Sequence, residues 1–159
     1  MLNLKVSIEG AASVEKALAA FKGALAEKLE AFLKREGAEM EKEIKQSLSV
    51  SARAGTGPRE GKLYEPSAPG EPPRLRTGNL RAAQGYKVAV NKSTGDFILD
   101  VGGLRGGGAE VKYQQGLELG TSKTAPRPHL MPIVLAHIAK WPAGLRVVVD
   151  DSGKQGGKP

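Results

Sequence analysis

The sequence predicts an α+β fold: a long N-terminal helix packed on a small, mainly antiparallel sheet, with a second, shorter helix near the C-terminus. Three observations predict it. A stretch of some 35 residues from Val14 is rich in Ala, Glu, Lys and Leu and contains no proline. Two runs of alternating polar and apolar residues follow in the middle of the chain. Leu130, Ile133, Val134, His137, Ile138 and Trp141 then recur at helical spacing. Helix formers without interruption, period-two alternation and period-3.6 recurrence are the local signatures of these three kinds of element.

The chain has 159 residues, the length of one domain with a sizeable core. That domain is expected over residues 1–149, with a disordered polar tail from 150 to 159. Leu2, Leu4, Val6 and Ile8 alternate with polar residues and predict a first strand that ends at Gly10. Ser13 is suited to cap the helix that follows, which extends to about Leu48. At 1.5 Å per residue such a helix is about 52 Å long, whereas a compact domain of this size is about 40 Å across. Either the helix bends or a partner covers what overhangs. Its apolar stripe drifts: Val14, Leu18, Phe21, Leu25, Leu29 and Phe32 fall within roughly 80° of one another, while Met40, Ile44 and Leu48 lie roughly 100° further round. The shift is centred on Gly37, which marks either a kink or a point on one curved helix.

Residues 51–78 hold five glycines and five prolines. With so little to bury, they predict a flexible arm ordered by assembly. Tyr86, Val88 and Val90, then Phe97, Leu99 and Val101, predict a hairpin closed by the turn "NKSTGD". "GGLRGGG" is a connector. "AEVKYQQGLEL" is either a short strand or a helical turn, which periodicity cannot separate over so few residues. Pro132 belongs in the first turn of a helix starting near Met131, Pro142 stops it, and "LRVVVD" predicts a last strand.

Net charge is +7, unevenly placed. Residues 14–48 balance seven acidic against seven basic side chains, while 51–92 carry eight basic and three acidic. Such a segment suits phosphates, acidic protein surfaces or plain solvation. There is no cysteine, which removes disulfides, thiolate metal sites and cysteine nucleophiles. The N-terminus carries no apolar run suited to a signal peptide or a membrane span. "GTGPREGKL" at 55–63 fails as a phosphate loop, because the first glycine position is Thr56 and the hydroxyl position is Leu63. His129 and His137 lack a placed carboxylate or thiolate in sequence, so no metal is expected. Nothing marks a nucleophile elbow. The expectation is a protein without enzymatic activity, cofactor or catalytic residue.

Two stretches point further. "PPRLRTGNLRAAQ" (72–84) and "YQQGLELGTSKTAPRPHLMPIV" (113–134) together resemble the phage tail-component family that includes tail-completion, or head-to-tail joining, proteins of long non-contractile-tailed phages. Members of that family look like a long N-terminal helix, a loop ending in TG-x-LR, a hairpin, then Y-A-x-x-x-E-x-G-T running into R-P-F-L-x-P-A. The matching positions are Thr77, Gly78, Leu80 and Arg81, then Tyr113, Glu118, Gly120 and Thr121, then Arg127, Pro128, Leu130 and Pro132. Arg76 precedes the first motif. His129 replaces the family's phenylalanine and Gln114 its alanine.

The resemblance implies a structural virion protein that assembles into a ring, a hexamer by analogy, at the neck or the end of the tail tube. Its partners would be itself and phage neck, connector or tail-tube proteins, with at most weak non-specific DNA contact and no membrane. Its place would be the virion, and the host cytoplasm during assembly. Arg76, Arg81 and Arg127 are suited to forked hydrogen bonds with carboxylates, Glu118 among them. The alternative is a nucleic-acid-binding module using the positive segment 51–92. Within "YQQGLELGTSKTAPRPHLMP" a turn after Leu119 is expected, made possible by Gly120.

Overall fold

The computed structural model describes residues 11–50, 67–75, 77–91, 94–104 and 109–156. The predicted first strand, most of the 51–78 arm, Arg76 and residues 157–159 lie outside them.

The architecture is α+β. Helix α1 spans Ala11–Ser47, α2 spans Asn79–Ala83, strands β1 and β2 span Gln84–Asn91 and Asp96–Gly103, α3 spans Ala109–Leu119, α4 spans Met131–Ile138 and α5 spans Trp141–Gly156. The strands pair antiparallel, in the register Gln84 with Gly103, Val88 with Leu99 and Asn91 with Asp96. Tyr86, Val88, Val90, Phe97, Leu99 and Val101 are half-buried, whereas Lys87, Ile98 and Asp100 between them are exposed. The two-sided alternation therefore does what period two predicts: one face of the hairpin lies on α1 and the other on solvent.

Helix α1 starts at Ala11, so Ser13 lies inside its first turn and not at its cap. It runs unbroken through Gly37. The glycine there answers a packing need: a Cβ at Gly37 would sit 2.5 Å from Tyr86 Cδ2 and 2.9 Å from Leu99 Cδ1. It lets the hairpin come down onto the helix backbone. The core gathers beyond that point, where Met40, Ile44 and Leu48 are fully buried and Leu80, Val101, Leu130, Ile133, Val134 and Trp141 pack on them. Earlier along α1 the same apolar stripe opens to solvent, with Val14 66% and Leu18 49% exposed.

Two expectations near the C-terminus are corrected. "LRVVVD" is helical, not a strand, and the expected disordered tail continues α5 as far as Gly156. Pro142 therefore stands in the first turn of α5, where its missing N–H costs nothing. The three valines carry β propensity, but this preference spans only about 1 kcal/mol and yields to packing. Leu145, Val148 and Ser152, at helical spacing, are half-buried or buried, and α5 lies along α1. Gly144 allows the close approach, since a Cβ there would meet Phe32 Cε2 at 2.6 Å. Among the described residues no single helix is long and apolar enough to cross a membrane; α4 and α5 reach that apolarity only as a pair bent by 44°.

Candidate functional site: the motif cleft and the Glu118 clasp

The first motif enters through a glycine. Gly78 adopts φ +81°, a left-handed conformation suited to glycine, and stands as the N-cap of α2. It turns the chain so that Leu80 joins the core while Arg81 faces out. The second motif turns at Gly120, with φ +77°, immediately after Leu119 as expected. A two-residue bridge follows, in which the Thr121 amide donates to Thr124 O at 2.8 Å.

These two stretches, far apart in sequence, line one cleft of about 550 Å³, to which Thr77, Gly78, Leu80, Arg81, Tyr113 and Arg127 all contribute. Arg74 lies on its wall as well. The segments are joined at a buried amide pair, because Gln84 Nε2 donates to Gln114 Oε1 at 3.2 Å and to Leu80 O at 3.0 Å. Gln114, where the resembled family has alanine, thereby has a physical reason: it supplies the acceptor that a buried Gln84 requires. Neither glutamine is marked by any local sequence pattern.

Backbone contacts then fasten the second motif to the segment before the first. The Gly70 amide donates to Pro126 O at 2.9 Å, while within the second motif the Arg127 amide donates to Leu117 O at 2.6 Å. Arg127 Nε donates to Ser67 O at 3.1 Å, so its guanidinium holds a backbone carbonyl.

Glu118 does something other than the expected pairing with arginine. Its Oε2 accepts from the amides of His129 at 3.0 Å and Leu130 at 3.2 Å, and its Oε1 accepts from Met131 at 2.7 Å. The carboxylate caps the N-terminus of α4, satisfying amides that have no partner within the helix and meeting the positive end of its dipole. No side chain of the α4 N-cap residue does this, because that residue is Leu130. Pro132 occupies the first turn of α4 and Pro128 is half-buried ahead of it.

His129 completes the clasp. Its Nδ1 lies 3.0 Å from Glu118 Oε2 and 3.4 Å from Arg127 O, while the ring is wholly buried and Nε2 has no hydrogen-bond partner. Burial pushes its pKa below the ordinary 6.5, against the opposing pull of Glu118 and the Arg127 carbonyl. The ring is best served as the neutral Nδ1–H tautomer, since a second proton on Nε2 would be buried without an acceptor.

Of the thirteen residues singled out in sequence, six meet at the cleft, Glu118 caps α4, Leu130 packs on the core, and Thr121 and Pro132 are exposed at the turn and the helix start. Sequence reasoning missed Gln84, Ser67 and the role of His129. For His129 alone there was a signal, its place within the Arg-Pro-x-Leu run. Chemically, the arrangement holds segments together: carboxylate, amide and guanidinium groups are spent on backbone partners.

No protein-family model, curated protein or solved structure matches this chain.

Proposed function

We propose that this protein is a structural, non-enzymatic virion component of a tailed phage, which completes the tail or joins head and tail by assembling into a ring at the neck or the end of the tail tube. One observation carries the reading most of the way: the two motif stretches that resemble the tail-component family converge on a single cleft and are tied to each other through Gln84 and Gln114. Residues of a motif that serve one structural unit are expected to meet in this way.

The exposed apolar surface supports assembly. Val14 and Leu18 on α1, Leu135 (57% exposed) on α4 and Val147 (59%) on α5 have no cover within the described residues. At 1.5 Å per residue, the 37 residues of α1 extend about 55 Å, beyond the diameter of about 40 Å of a compact domain this size. A closed ring would bury that overhang.

Arg74 and Arg81 of the positive segment 51–92, both on the cleft, favour the second reading, a nucleic-acid-binding module, whose affinity would fall steeply with salt. Co-expression with the products of the flanking genes, followed by native mass measurement, separates the two. Ring-sized assemblies or complexes with neck or tail-tube proteins are expected. A strict monomer that binds DNA tightly in a salt-dependent manner, and associates with none of those proteins, refutes the proposal.

A further inference from the structure

The motif cleft carries positive charge that the fold leaves without a partner. Arg74, Arg81 and Arg127 line it, and among the described residues no acidic side chain does. Glu118, the carboxylate expected to pair with these arginines, is taken up by the amides of residues 129, 130 and 131 at the start of α4. Arg127 is also held in place. Its amide donates to Leu117 O at 2.6 Å and its Nε to Ser67 O at 3.1 Å, which orients a half-buried guanidinium. Only Nε is spent in this way. The terminal nitrogens Nη1 and Nη2 have no acceptor among the described residues, and neither has the exposed side chain of Arg81.

The rest of the lining is of a different kind. Leu75, Leu80 and Leu117 present apolar surface beside the arginines, in a cleft of about 550 Å³, a volume typical of ligand sites. A ligand that fills it has to offer two things close together: an anionic group that accepts from a guanidinium fork, and an apolar group to lie on the leucines. An Asp or Glu next to an aliphatic residue in an extended peptide offers both. A nucleic-acid strand offers only the first. Its binding relies on a track of cations along successive phosphates and on aromatic platforms for the bases, whereas the described lining holds no lysine and a single aromatic ring, Tyr113.

We propose that the motif cleft is a docking site for an acidic peptide segment of a partner protein. One carboxylate sits on the terminal nitrogens of Arg127, and an adjoining apolar side chain lies against Leu75 and Leu117. Arg74 and Arg81 supply the positive potential that draws the segment in and rejects basic ones. The site depends on the cleft alone, so it holds whether or not the chain closes into a ring.

The test uses the full chain and an array of synthetic peptides in which Asp or Glu is placed at varied spacing from Leu in a Ser/Gly background. Peptides with the acidic residue close to Leu should bind saturably, with one bound per chain, as read by fluorescence anisotropy. Matched peptides carrying Asn or Gln should bind about 10–100-fold more weakly, the worth of a charge-assisted hydrogen bond. Arg81→Gln, at an exposed position, should weaken binding with an unchanged circular dichroism spectrum. Arg127→Lys keeps the charge but not the fork and should weaken it further. Lys22→Gln, on α1 and outside the cleft, should leave it unchanged. Four results would each overturn the site: no acidic peptide bound by the wild-type chain, equal affinity for the amide-matched peptides, binding that survives both arginine variants, or a single-stranded DNA oligonucleotide that displaces the peptides and is held more tightly than any of them.

Discussion

Replacing Glu118 with alanine removes the acceptor on which the start of α4 and the His129 ring both depend. The carboxylate is 9% exposed on its side chain and holds the amides of residues 129, 130 and 131 as well as Nδ1 of His129. Not all of these contacts cost the same to lose. Met131 is exposed, so water replaces the acceptor of its amide, whereas the His129 ring is buried and retains only the longer contact to Arg127 O at 3.4 Å. A lost helix cap costs about 0.5–2 kcal/mol, and a hydrogen bond to a charged group contributes about 1.5–3 kcal/mol. One of each gives a loss of about 2–5 kcal/mol, with about 3 kcal/mol as the central value. For a domain of this length that lowers the melting temperature by about 6–12 °C. Glu118→Gln keeps one oxygen acceptor and loses the charge, so it should cost roughly half as much. Urea unfolding followed by circular dichroism measures both. A Glu118→Ala variant within about 0.5 kcal/mol of wild type, the range of a neutral surface substitution, would refute the clasp.

Two further predictions use other parts of the fold. Gly23 and Gly37 share α1, but a Cβ at Gly23 meets nothing within 4 Å while one at Gly37 runs into Tyr86 and Leu99. Gly23→Ala should raise stability by about 1 kcal/mol, whereas Gly37→Ala should lower it by about 1–3 kcal/mol despite the same gain in propensity; thermal unfolding in which both variants move the same way would contradict the packing argument. For His129 the folded-state pKa is below 6.5 because the ring is buried, so the unfolded chain takes up the proton first as pH falls. Its contribution is complete above about pH 6.5 and declines as pH drops from there toward the folded-state value, with a slope of up to about 1.4 kcal/mol per pH unit. The urea midpoint of wild type should therefore fall faster between pH 7 and 5 than that of His129→Asn, and parallel curves would count against a buried neutral ring.

What could be read from the sequence alone was what is decided within a few residues. The α1 and α4 helices, the hairpin, the turn at Gly120 and the helix start at Met131 follow from apolar period, from proline and glycine placement and from the lack of breakers, all of which act on neighbouring backbone. The same local logic misread "LRVVVD", since a weak β preference gives way once the surface of α1 is there to cover Leu145 and Val148. At Gly37 it left a kink and one curved helix open; the helix is unbroken, and a ring arriving from β1 is why no side chain fits there.

The candidate sites were legible only in part, as residues without partners. Glu118, Arg127 and Arg81 stood out by motif, yet that Glu118 caps α4 and Arg127 holds the Ser67 carbonyl depends on how α3, α4 and the segment near residue 67 come together. His137 looked unsupported because its carboxylates lie about a hundred positions earlier, on α1. Electrostatic partners, buried amide pairs and close approaches at glycine are set by which surfaces meet after the chain has collapsed, and hydrophobic burial that brings them together has no direction of its own. Sequence by itself determined α1, α4 and the hairpin, together with the composition that rules out cysteine chemistry. Tertiary structure alone decided which polar groups face each other across helices, because desolvation makes those pairings worth anything only once they are buried.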